Sequence, residues 1–223
     1  MGEYYSWVNI DKKEYISPHD FDLGNKFHES SLAGNPLLGA LYELLSSDWK
    51  GDAIVFLGDQ TETGKNDTNI VLHRLFIEKQ MWGSGGYDMD YIDETYRCIS
   101  GLFKAAEKEV RFEIDGMIKY NDFEFNCYRV KPDDPYEGLF VRDTTSFRFI
   151  INHSKKEFYD IERTKPVYDK DDVLIGRIDP LPILMAFPGT CAEQCTGLWL
   201  GDKIEASNEL PPKDYKDMSR EYY

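Results

Sequence analysis

The chain has 223 residues, with 26 lysines and arginines against 41 aspartates and glutamates, which gives a formal charge of −15 and a sequence pI near 4.7. Hydrophobic residues at 41% and aromatics at 14% exclude a disordered acidic chain and leave material for one large domain or two small ones. So negative a surface argues against direct nucleic-acid binding and against anionic membranes, because both affinities are built from Lys and Arg.

Residues 4–8 are aromatic and β-branched and read as a strand. Asn9-Ile10-Asp11-Lys12-Lys13 suits a hairpin loop, and a second strand follows over 14–17. Asn35 is positioned as a helix N-cap with Pro36 in the first turn, and Leu37, Leu38, Leu41, Leu44 and Leu45 fall on one face of a helical period. Trp49-Lys50-Gly51-Asp52 then leads into a strand over 53–57.

The segment Gly58 to Asn66 stands between a strand and a predicted helix, the right setting for a phosphate-binding loop. Its details fail: one residue too many separates the glycines, Asn66 replaces the hydroxyl that would hold magnesium, and Asp59 and Glu62 would face phosphate with negative charge. A helix is predicted over 69–81, broken by the glycines of 83–86, which serve as a connection or as a hinge over a pocket. A longer helix is expected over 90–110, then a β-hairpin over 111–129 around Asp115-Gly116 and a loop over 131–135.

Past the middle of the chain the opening motifs return. Asn152-His153-Ser154-Lys155-Lys156-Glu157-Phe158 repeats the N-x-x-K-K-E-aromatic pattern of Asn9 to Tyr15. Asp179-Pro180-Leu181 stands where Asn35-Pro36-Leu37 stood, with Pro182 and Pro188 predicting a short second helix. Trp199-Leu200-Gly201-Asp202 matches Trp49-Lys50-Gly51-Asp52, and the slightly larger spacing of the tryptophans places a short insertion around 189–197. Three landmarks in one order at nearly constant spacing point to an internal duplication. The fold expected is α+β with a largely antiparallel sheet, built from two degenerate strand-strand-helix-strand repeats within a single compact domain, 1–223. Unit 1 covers 1–58, a helical and hairpin insertion 59–145, unit 2 146–206, and a loosely ordered polar tail 207–223.

Tyr5-Ser6-Trp7-Val8-Asn9, Lys12-Lys13-Glu14-Tyr15, Trp49-Lys50-Gly51-Asp52 and the Asn152 to Phe158 block resemble an uncharacterised family of bacterial proteins. The resemblance covers the two repeat units and implies a bacterial or phage origin; it carries no catalytic residues.

The chemistry-bearing candidates are the paired Trp49, Asp52, Trp199 and Asp202. Packed about a pseudo-twofold axis, the aspartates would converge into a two-carboxylate site for acid-base work or a divalent ion. The competing reading is structural: Asp after Gly at a strand entrance accepts nearby N–H bonds, and the tryptophan anchors the core. Cys191 and Cys195 lack the spacing and further ligands of a zinc site, so no metal or other cofactor is expected. His19, His28, His73 and His153 are scattered, and in His28-Glu29-Ser30-Ser31 neighbouring side chains diverge and form no triad. The amino terminus shows no basic-then-apolar leader, and no run approaches the roughly 20 apolar residues of a membrane span. Four cysteines are too few for a disulfide scaffold, so a cytoplasmic protein is expected.

The abundant aromatics and acidic charge suit a non-enzymatic binding or inhibitor protein, of the immunity type, recognising a basic protein partner. The alternatives are a small-molecule enzyme with its carboxylate site between the repeats, and a mimic of nucleic-acid charge that blocks a basic cleft.

Overall fold

The computed structural model describes residues 3–24, 26–83, 86–119, 142–187 and 196–220. The chain folds as α+β, with helices set around two sheets of the same plan. In the first sheet, β1 (Tyr5–Asn9) and β2 (Glu14–Ile16) form an antiparallel hairpin and β3 (Ile54–Gly58) pairs antiparallel with the other edge of β1. The short β4 (Arg97–Cys98) closes the sheet parallel to β2. In the second, β5 (Phe149–Asn152) and β6 (Glu157–Asp160) make the hairpin, β9 (Ile204–Ser207) pairs antiparallel with β5, and β10 (Lys216–Asp217) lies parallel to β6. The matching pattern therefore extends to a fourth strand in each sheet that the repeated motifs do not contain.

Helix α1 (Pro36–Ser46) starts where its cap demands: the Asn35 side chain accepts from Leu38 N at 2.8 Å, Pro36 needs no N–H partner, and the leucines that follow are buried. It packs on β9 of the second sheet, while the five-residue α5 (Leu181–Met185) packs on β3 of the first, where Phe56 and Ala186 form a parallel bridge. Each helix thus crosses to the other sheet. One hydrophobic core results, joining Trp7, Phe56, Leu41 and Trp49 to Ile150, Tyr159, Leu184 and Trp199.

The first sheet is buried on both faces, which explains why β3 reads as a continuous apolar run and why Ser6 and Asn9 of β1 are buried with its apolar residues. Tyr5, Trp7 and Phe56 face the shared core. Val8, Val55 and Leu57 face Leu72 and Leu75 of α2 (Ile70–Trp82) and Ile92 of α3 (Asp88–Thr95). Asn69 caps α2, accepting from Val71 N at 2.9 Å.

Three expectations are corrected. The helix over 90–110 is divided: α3 ends at Thr95, β4 follows, and α4 begins at Glu107. Sheet pairing overrides the helical period here, since Arg97 N donates to Lys13 O and Ile99 N to Tyr15 O, both at 2.9 Å. The hairpin expected around Asp115-Gly116 is instead the interior of α4 (Glu107–Lys119), whose first turns carry an Arg111–Glu107 pair at helical spacing. The rest of that hairpin and the loop over 131–135 lie outside the described residues. The tail over 207–220 is not loose: β10 covers the open edge of β6, and Met218 and Ser219 are buried. Among the described residues no helix is long and apolar enough to cross a membrane.

Candidate functional site

The four paired candidates occupy the same environment in each sheet. The Asn9 amide donates to Asp52 Oδ2 at 2.9 Å while its Oδ1 accepts from Lys12 N at 2.9 Å; the Asn152 amide donates to Asp202 at 2.7 Å while its Oδ1 accepts from Lys155 N at 3.0 Å. Lys12 Nζ stands 3.8 Å from Asp52 and Lys155 Nζ 3.0 Å from Asp202. Trp49 Nε1 donates to Glu14 at 3.0 Å, Trp199 Nε1 to Glu157 at 3.1 Å, and both indoles are fully buried. The second lysine of each motif is left-handed, with φ of 55° at Lys13 and 57° at Lys156, and Gly51 and Gly201 take φ of 76° and 86°, where a side chain would be strained.

Each motif is thus a clamp that fixes a hairpin turn to the start of the next strand. Each aspartate is held by its own asparagine and lysine, and among the described residues no bond joins Asp52 to Asp202 and no group of three metal-binding side chains forms. The two sheets meet at Lys50, whose Nζ lies 2.9 Å from Glu205 Oε1, with Glu205 Oε2 2.8 Å from His153 Nε2. Burial works to raise the Glu205 carboxyl, but hydrogen bonds and charge from Lys50 and His153 outweigh it and hold the group below the usual carboxylate range. The His153 ring also meets Tyr215 Oη at 3.0 Å, so it ties the carboxyl-terminal segment to the second sheet.

A wide opening lies elsewhere. A cleft of about 620 Å³ runs from the first turn of α1, past Phe147 and Arg148, to Ile161, Leu174 and Arg177. A second cleft of about 410 Å³ adjoins it, sharing Glu162 and Arg177 and otherwise lined by residues 163–166, Ser219 and Arg220. Tyr42 borders the larger cleft and donates its hydroxyl to buried Asp179, which also accepts from Tyr159 Oη at 2.7 Å and Leu181 N at 3.0 Å. Burial pushes the Asp179 carboxyl up, and the two hydroxyls and the backbone donor offset this only in part.

A carboxyl raised on folding contributes stability that is present below its unfolded value and lost as pH rises through the folded one. Asp179→Asn, which cannot titrate, is therefore expected to gain stability relative to the unsubstituted protein as pH rises from about 4 to about 7. Urea unfolding across that range checks this, and a constant difference contradicts it.

Beside the clefts projects a hairpin of β7 (Pro166–Tyr168) and β8 (Leu174–Arg177), which the reading of the sequence missed. Tyr168, Val173, Leu174 and Ile175 are 55%, 57%, 52% and 55% exposed, an unusual display for two short strands. The turn is built rather than loose: Asp169 Oδ1 accepts from Asp171 N at 2.8 Å and Val173 N at 2.9 Å, and Asp172 takes a left-handed φ of 59°. The base is anchored by a bridge between Leu32 and Ile178 and by Ala33 N donating to Arg177 O at 2.8 Å.

No family model, curated protein or solved structure matches the chain. The chemistry of the candidate surfaces is therefore read from their own geometry. Of the remaining sequence candidates, Cys191 and Cys195 lie outside the described residues, as does most of the segment around 189–197. Gly83 ends α2 as a left-handed C-cap with φ of 96°, and residues 84–85 are not described. In the segment Gly58 to Asn66, Thr61 and Thr63 are buried and Thr63 is bonded to Asp88.

Proposed function

We propose that this chain is a non-enzymatic binding protein, of the inhibitor or immunity type, that recognises a basic protein through the β7–β8 hairpin. The observation that carries the reading is the exposed apolar set Tyr168, Val173, Leu174 and Ile175 beneath a turn bearing Asp169, Asp171 and Asp172 against Lys170. An apolar centre with a charged rim is the arrangement from which protein interfaces draw their affinity, and the acids would steer a basic partner into register. The short open strands also offer backbone groups for pairing with a partner strand. The same proposal takes the two sheets as degenerate copies of one ancestral unit and the protein as a bacterial, cytoplasmic one that does not bind nucleic acid directly. Asp52 and Asp202 then act in folding alone.

Affinity capture from an extract of the source cells, at low and high salt, tests this reading. A basic protein retained at low salt, released by added salt and lost by both Leu174→Asp and the triple change of Asp169, Asp171 and Asp172 to Asn supports it. Equal retention by the hairpin variants, or no salt-sensitive partner, overturns it.

A further inference from the structure

We propose that the paired clefts beside the hairpin bind a small ligand with an oxyanion group, phosphate or carboxylate, attached to an apolar body. The inference stands apart from the protein-partner reading and rests on where positive charge collects in a chain of net charge −15. The smaller cleft is lined by Arg163, Lys165, Arg177 and Arg220 against the single acid Glu162.

Arg163 is neutralised by Asp217. Among the described residues Lys165, Arg177 and Arg220 have no carboxylate partner. Arg177 is half-buried at the junction of both clefts and gives one bond from Nη1 to Thr164 O, which leaves most of its five donors for an anion. Glu162 is drawn toward Arg148 at 3.4 Å and so is partly compensated.

The larger cleft supplies the other half of the site. Pro36, Phe147, Ile161 and Leu174 give it an apolar wall, and its volume of about 620 Å³ is that of an ordinary small-molecule site. Asn35, Ser146 and Asn208 place polar groups along the same cleft. The first turn of α1 borders it as well, and its dipole adds positive potential.

The test is an amide NMR titration of the full chain with phenyl phosphate, with benzoate as the carboxylate arm and benzyl alcohol as the uncharged control. The expected result is saturable shifts confined to residues around Gly34, Gly39, Phe147, Lys165 and Arg177 with at least one anion, and none with benzyl alcohol. The tighter of the two anions names the group. Arg177→Gln and, at the exposed Lys165, Lys165→Gln are each expected to weaken binding about tenfold, the loss of one charge-assisted contact. Lys165 makes no side-chain bond among the described residues, so its replacement cannot be dismissed as a folding defect. Absence of saturable shifts with both anions, equal response to benzyl alcohol, or unchanged affinity in Lys165→Gln overturns the proposal.

Discussion

Lys79→Met is expected to destabilise the fold by about 3–5 kcal/mol at neutral pH, the cost of leaving a buried charge without its partner. The Lys79 and Asp88 side chains are 2% and 0% exposed, with Nζ 2.7 Å from Oδ1. Lys79 Nζ also donates to Gly86 O at 3.0 Å, and Asp88 accepts from Thr63 N at 2.8 Å and Thr63 Oγ1 at 3.0 Å. The pair therefore joins α2, the start of α3 and the loop after β3, the elements that cover the outer face of the first sheet.

Burial already pushes the Asp88 carboxyl up, with Lys79 and Thr63 working against it. Without the ammonium the carboxyl rises further, so the loss should be largest near pH 7 and shrink as acid protonates it. Lys79→Met with Asp88→Asn removes both charges and keeps an acceptor for Thr63. This double variant is expected to recover more than half of the loss, because a neutral replacement of a buried pair avoids the desolvation penalty. Urea unfolding of both proteins measures this; a single variant that loses less than about 1 kcal/mol contradicts a buried ion pair.

The second large effect belongs to the clamps. Asn152→Ala is expected to cost about 2–4 kcal/mol, since it removes the donor to Asp202 and leaves the Lys155 amide without its acceptor. Asn9→Ala should cost a similar amount, because the same two bonds are made to Asp52 and Lys12. Asn152→Asp separates the contributions: it keeps an acceptor for Lys155 N but sets a second carboxylate against Asp202. Its stability should fall below that of Asn152→Ala at pH 7 and recover in acid, when the two carboxyls can share a proton. Capture of a partner per folded molecule should be unchanged in all three, which distinguishes a folding role from a binding one.

The clamps were legible because their bonds run between residues whose identity is repeated along the chain: an asparagine, two lysines, a glutamate, a tryptophan and a Gly-Asp pair. The Asn35 cap and the shortness of α5 were legible for a similar reason, being set by one polar side chain and by prolines close in sequence. The break at Tyr96 was hidden because β4 exists only where β2 offers an edge, a partner more than 80 residues away. Asp115-Gly116 carries a turn signal that the surrounding helix overrides. The β7–β8 hairpin was signalled locally, by Asp169 to Asp172 between β-favouring residues, and went unread beside the stronger repeat. The clefts were not legible at all. Their walls come from residues 33–42, 144–148, 161–177 and 208, brought together only by packing of the two sheets.

Hydrogen exchange of the chain, alone and with the basic protein that the proposed reading expects it to capture, tests the central claim most directly. The account predicts added protection across residues 166–177, with the clamps at 49–54 and 199–204 exchanging as they do in the free protein. Protection of the two Gly-Asp loops with no change in the hairpin would contradict it.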